Sequence, residues 1–179
     1  ADNIDLDITP NIVVTGTVDS NTDNSYILSY NVSDSSGNAA TAITRTINVT
    51  DTTAPTITLT GNATINHEQG TTYSDAGATA FDLVDGNVSA NISTNGSVNT
   101  NIAGTYTLSY NVSDIAGNTA TAITRNVIVA DTIIPTIALT GPSILNHEQA
   151  TDYTDQGATA SDNFDGDITS NVVTTGAVD

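Results

Sequence analysis

The stretch Gly104-Thr105-Tyr106-Thr107-Leu108-Ser109-Tyr110-Asn111-Val112-Ser113-Asp114 decides the fold. Tyr106, Leu108, Tyr110 and Val112 alternate with Thr, Ser and Asn, the period-2 pattern of a strand with one face in a core and one in water. The pattern predicts a long strand. Asp114-Ile115-Ala116-Gly117-Asn118 follows with turn chemistry, an Asx-type turn and a glycine free to take positive φ, and Thr119–Val129 returns as a second strand. Almost the same hairpin stands earlier, from Ser25 to Asp34 with Gly37-Asn38. The offset between its Tyr26 and Tyr106 is 106 − 26 = 80 residues. The chain therefore reads as a repeat with that period.

Aligned at this period, roughly half of the positions in 1–60 and 81–140 are identical, and most of the others are swaps such as Ile for Val. Units of this size bury only a modest core. Domain edges are expected where a second hairpin strand runs into proline, at Asp51-Thr52-Thr53-Ala54-Pro55 and Asp131-Thr132-Ile133-Ile134-Pro135. On this reading 1–51 is the C-terminal part of one unit, 52–131 is a complete unit, and 132–179 is the N-terminal part of a third. Linkers this short, each ending in a proline, predict units set end to end with little play. Because 1–51 and 132–179 each lack half a unit, neighbouring copies or flanking repeats of the same chain are expected to complete them.

No segment of the complete unit has helical spacing of apolar residues, so the fold class is all-β. Strands are expected at Thr56–Thr60, Ala63–Glu68, Gly77–Phe81, Val88–Thr94, Thr105–Ser113 and Thr119–Val129, with turns at Gln69-Gly70, Asp85-Gly86, Asn95-Gly96 and Ala103-Gly104. Six or seven such strands give antiparallel β-sandwiches of the immunoglobulin type, repeated end to end.

Composition narrows the function. A net charge of −18 comes from 20 acidic residues against only Arg45 and Arg125, which excludes nucleic acid as a partner and makes cations the natural one. The chain has no Cys, hence no disulfide or thiol chemistry. No apolar run approaches the roughly 20 residues that span a bilayer, so no direct membrane insertion is expected. There is no phosphate loop and no nucleophile–base arrangement, and no enzyme activity is expected.

The quoted motifs, taken with Asp51-Thr-Thr-Ala-Pro-Thr-Ile-Thr-Leu59, Tyr73-Ser-Asp-Ala-Gly-Ala78 and Asp82-Leu-Val-Asp-Gly86, make the chain resemble the bacterial Ig-like domains that occur in tandem in large surface adhesins. The same module type is appended to other proteins, pesticidal crystal proteins included. The resemblance covers essentially the whole chain. It implies extracellular or cell-surface extension or binding modules.

Three acidic loops are candidate metal ligands: Asp2, Asp5 and Asp7; Asp82, Asp85 and Asn87; and Asp162, Asp165 and Asp167. Their carboxylates and amide can converge on a hard cation, and Ca²⁺ takes six to eight oxygens. Strand directions bring the linker residues Asp51 and Asp131 and the hairpin-loop residues Asp34 and Asp114 to the same end of a unit as these loops. Glu68 or Asp75, from the opposite end, would face the next unit's Asp131. Calcium at the junctions is the expected cofactor. His67 and His147 each adjoin a Glu on a strand and so point to the other face; they read as exposed strand residues. Arg45 and Arg125 share strand parity with core residues, and structural ion pairs are expected, with Asp34 or Asp75 for the first and Asp114 or Asp155 for the second.

Overall fold

The computed structural model describes residues 7–176. They hold thirteen strands: β1 Val13–Thr15, β2 Asn24–Asn31, β3 Ile43–Val49, β4 Thr56–Leu59, β5 Thr64–Glu68, β6 Ala78–Asp82, β7 Gly86–Asn87, β8 Ser93–Asn95, β9 Gly104–Asn111, β10 Ile123–Ala130, β11 Thr136–Leu139, β12 Ala158–Asp162 and β13 Gly166–Asp167. Three short 3₁₀ turns, Thr9–Asn11, Ser89–Asn91 and Thr169–Asn171, are the only helical elements among the described residues. No helix there is long and apolar enough to cross a membrane. The chain is all-β. Two compact units divide it: residues up to Ala54 with Ile115–Asn118, and Pro55–Asp114 with Thr119 onward.

The second unit contains one full sandwich. Sheet β4-β6-β7 pairs Ile57 with Ala80 and Thr56 with Phe81, and sheet β5-β10-β9-β8 pairs Arg125 with Leu108 and Val127 with Tyr106. The alternation read from sequence is the reason the two sheets meet. Leu108, Tyr110 and Val112 turn one way and meet Ile57, Ala80 and Val88, while Thr107 stays in water and the intervening Ser109 and Asn111 are half-buried. Each fully buried apolar side chain of this size contributes about 1.5–3 kcal/mol.

Two features depart from the expected strands. Val88–Thr94 is not one strand: Ser89–Asn91 forms a 3₁₀ turn, and only Ser93–Asn95 pairs with β9. The turn lets buried Val88 and half-buried Ile92 both reach the core. The stretch after β4 does not continue its sheet. As β5 it crosses to the other sheet and runs parallel to β10, Thr64 beside Asn126 and Glu68 beside Ala130.

Farther along the same unit, β11-β12-β13 repeats the register of β4-β6-β7, with Ile137 beside Ala160 and Ser161 beside Asp167. Its apolar face is open, so that Ile137 is 68% exposed where Ile57 is 8% exposed. In the first unit, β1-β2-β3 repeats the register of β8-β9-β10, with Tyr26 beside Ile47 and Leu28 beside Arg45.

Candidate metal centre

Parallel pairing of β5 with β10 carries Glu68 to the point where β10 ends, and Asp131 and Thr132 are the next residues. The Thr132 amide donates to both Glu68 carboxylate oxygens at 3.2 Å, and its hydroxyl donates to Oε2 at 2.5 Å. Chiefly because of that hydroxyl, the Glu68 carboxyl is held below its ordinary value. The Asp131, Asp162 and Asp165 carboxylates close on the same place, one oxygen from each lying within 4.8 Å of the others. Asp131 is pushed up by burial, then by the Asp162 charge and by Glu68.

A tight turn aims this loop. Asp162 Oδ1 accepts from the Phe164 amide at 2.8 Å and the Asp165 amide at 3.1 Å, and Gly166 closes the turn at φ 72°. The turn fixes one oxygen of Asp162 and leaves the other outside its hydrogen bonds, where a hard cation could use it. Phe164 packs on Gly70 across the same joint: a Cβ at Gly70 would come within 2.9 Å of the ring.

The third member of each acidic loop has a different job. Asp167 Oδ1 accepts from the Thr169 amide at 2.9 Å, Asn87 Oδ1 from Ser89 at 3.0 Å and Asp7 Oδ1 from Thr9 at 3.0 Å. Each opens a 3₁₀ turn. Their acidity agrees: Asp7 and Asp167 are both lowered, Asp7 first by the Thr9 amide and Asp167 by Thr169. Asp2 and Asp5 lie outside the described residues.

The remaining candidates stand 80 residues before the cluster or at hairpin ends. Asp82 repeats the Asp162 turn, its Oδ1 accepting from Val84 at 2.7 Å and Asp85 at 3.0 Å; it is buried, and its Oδ2 has no hydrogen-bond partner among the described residues. Asp51 Oδ1 accepts from Thr53 at 3.0 Å, and its Oδ2 is likewise without a partner. Buried carboxylate oxygens without donors are acceptors that an ordered water or a cation can satisfy. Asp34 is consumed by its own turn, accepting from the Ser36 amide and from both nitrogens of Asn38, which lower it. Asp114 is buried at the end of β9.

Arg125 lies in the core, as its parity required, but its partner is not Asp114 or Asp155. NH1 pairs with Asp75, Nε donates to the Asn62 carbonyl at 3.1 Å, and NH2 donates to the Thr60 and Gly77 carbonyls. The reason is topological: 74–77 is irregular and crosses the end of the core, bringing Asp75 under the strand. Arg45 makes no ion pair with any described residue and rests over the Tyr30 ring at 5.7 Å. His67 is half-buried, sharing Nε2 with Thr71 and meeting Tyr73 edge-on at 5.2 Å. Tyr73 and Tyr153 turn their hydroxyls to Asp75 and Asp155.

The model of the bacterial surface protein Ig-like domain matches residues 1–49 and 57–129. The chain belongs to that family. The matched segments end at Val49, the last residue of β3, and at Val129, one residue before the end of β10, so Asp51 and Asp131 fall just outside the family pattern. A crystal structure of a lipoprotein from Bacteroides thetaiotaomicron is similar at 26% identity and TM-score 0.40, over 48% of this chain and 45% of that one. No curated protein matches the chain closely enough to carry a comparison.

Proposed function

We propose that this bacterial surface Ig-like chain is an extension segment of a large extracellular or cell-surface adhesin, its successive units joined end to end and stiffened by Ca²⁺ at the joints. No catalytic role is part of this reading. The observation that carries it is the gathering of Asp131, Asp162 and Asp165 beside Glu68, with Asp131 raised by burial and then by the Asp162 and Glu68 charges. Three carboxylates around one point, with Glu68 beside them, repel one another at neutral pH, and a hard cation is the simplest relief. The repeat supplies the same residue types as Asp82 and Asp85, and the unpaired oxygen of Asp82 supports the same use for them. The acidic, lysine-free surface suits extracellular calcium and not nucleic acid. Copies of this chain, or flanking repeats, are the partners such a segment needs.

Calorimetry with millimolar CaCl₂ and with chelator tests the reading. Extracellular calcium modules bind at roughly 10⁻⁴–10⁻³ M. At ~10-fold over Kd, binding to the folded state alone adds about 1.4 kcal/mol, enough to raise Tm by several degrees. The double variant Asp162→Asn with Asp165→Asn should lose most of that rise. Identical melting curves in calcium and chelator would reject calcium at the joint.

A further inference from the structure

We propose that the outer face of sheet β4-β6-β7 is a binding site for a neutral saccharide, with the Phe81 ring as the stacking platform and Thr56, Thr58, Thr79 and Asn87 as the groups that meet the sugar hydroxyls. The site lies within the complete unit and takes no part in the calcium reading.

Strand register builds the patch. On β6, Ala80 and Asp82 turn inward and are buried, so Thr79 and Phe81 turn outward. Phe81 stands between Thr56 of β4 and Asn87 of β7, and Thr79 stands beside Thr58. Directly opposed residues of an antiparallel pair share a face, their Cβ atoms about 5 Å apart. The five side chains therefore form one surface, and all five are exposed, Phe81 by 61%. Together with Ala80 and Ser89 they line a shallow hollow of about 290 Å³.

The fold has no use for a phenyl group there. Phe81 is not part of the core cluster that holds Ile57 and Ala80, and the other repeats place Ala1 and Ser161 at its position. Ser161 is exposed with the complete unit directly before it, so the outer face is open to water even beside an intact neighbour. Asn87 departs from the repeat in the same patch, since Asp7 and Asp167 hold its place elsewhere. One surface thus gains an aromatic ring and loses a charge. None of the residues lining the hollow is ionisable, in a chain of net charge −18.

That combination selects the ligand. A cation or a basic peptide would be held by carboxylates, which the hollow lacks, and an anion is repelled by the net charge of the chain. A pyranose offers a face of C–H groups to stack on a ring and a rim of hydroxyls for polar groups around it. Asn87 Oδ1 accepts from the Ser89 amide at 3.0 Å, which fixes the side chain and leaves Nδ2 to donate outward. The Thr56, Thr58 and Thr79 hydroxyls have no hydrogen-bond partner among the described residues, and each can both donate and accept. Ser89 has a structural task instead, its Oγ engaged by the Ala80 amide at 2.8 Å and carbonyl at 3.2 Å. A site this open, gripping one ring, should bind with a Kd of about 1 mM.

Amide NMR of the whole chain in chelator, titrated to about 50 mM with the methyl glycosides of glucose, galactose, mannose and N-acetylglucosamine, tests the site. At least one glycoside should shift the amides of Thr56, Thr58, Thr79, Phe81 and Asn87 along a saturating curve. Phe81→Ser should weaken that binding about tenfold and Phe81→Trp should retain it, because a larger ring stacks at least as well. Asn87→Asp should weaken it severalfold by removing the outward donor. Ser and Asp are the residues of the other repeats at these exposed positions, so both variants should melt with wild type. No saturable shift with any of the four glycosides, shifts centred elsewhere, affinity unchanged in Phe81→Ser or Asn87→Asp, or loss in Phe81→Trp would overturn the inference. So would tighter binding of p-cresol than of every glycoside at the same amides, which would make the hollow an apolar groove. Calcium-dependent melting is indifferent to each of these outcomes, so the two readings fail separately.

Discussion

Arg125 is 1% exposed, and burying a guanidinium is tolerable only because Asp75 and three backbone carbonyls surround it. Asp75 is itself held by the Tyr110 hydroxyl at 2.7 Å and the Gly77 amide at 3.0 Å. Burial raises its carboxyl, but the Tyr110, Arg125 and Tyr73 bonds outweigh that and keep it below its ordinary value. Replacing Asp75 with Asn should therefore destabilise the complete unit by roughly 3–5 kcal/mol, read from chemical denaturation, because a buried charge is left uncompensated. The same network sets an alkaline limit. Burial first, and then the Asp75 bond, pushes the Tyr110 phenol up to about 12. The proton held more tightly in the folded state gives stability that is fully present below about pH 10 and lost as pH rises toward about 12. In Tyr110→Phe that alkaline loss should shrink, and an unchanged profile would remove Tyr110 from the account.

At the scale of elements, the turn after β5 shows what each position of the repeat tolerates. Gly70 sits at φ 77° and Phe164 packs on it, whereas the next repeat places Ala150 there at φ 68°. Gly70→Ala meets both strain and the ring and should lower the melting temperature, by about 1–2 kcal/mol in stability. Ala150→Gly relieves strain at some cost in chain entropy and should act in the opposite direction by less than about 1 kcal/mol. The hairpin β9–β10 was legible because period 2 has one meaning over ten residues. The stretch 88–94 was not: Val88, Ala90 and Ile92 fit alternation, yet Val88 and Ile92 alone also fit one helical turn, and the Asn87 side chain on the Ser89 amide tips the balance. In each acidic loop the convergence of the first two carboxylates was legible, and the backbone role of the third residue was not, because an Asx side chain two residues before a turn binds backbone first. The Asp75 partner of Arg125 was hidden because it comes from an irregular segment with no periodicity to place it.

For the whole molecule, charge outweighs every other surface property, with −18 on 179 residues. Protons and calcium should then compete for one group in particular. Asp131 is the one carboxyl among the described residues that its surroundings push clearly upward, whereas Asp75, Glu68, Asp82 and Asp167 are all lowered. A raised carboxyl contributes stability that is present below its unfolded value near 3.8 and lost as pH rises through its folded value; the lowered ones contribute above their unfolded values and lose it as pH falls. The two windows lie on opposite sides of about pH 4. In chelator, melting temperature should therefore rise as pH drops from 7 toward about 4, then fall below it. Falling net charge contributes to the rise as well, so Asp131→Asn is the control: it keeps the general effect and loses the part due to this joint. With calcium present the rise should flatten, because the cation already neutralises the site at pH 7 and is displaced as Asp131 protonates. The calcium-induced gain should accordingly be largest at neutral pH and shrink toward pH 4 in wild type, and be small throughout in Asp131→Asn. A calcium gain independent of pH, or equal in the variant, would separate ion binding from Asp131 and move the site elsewhere.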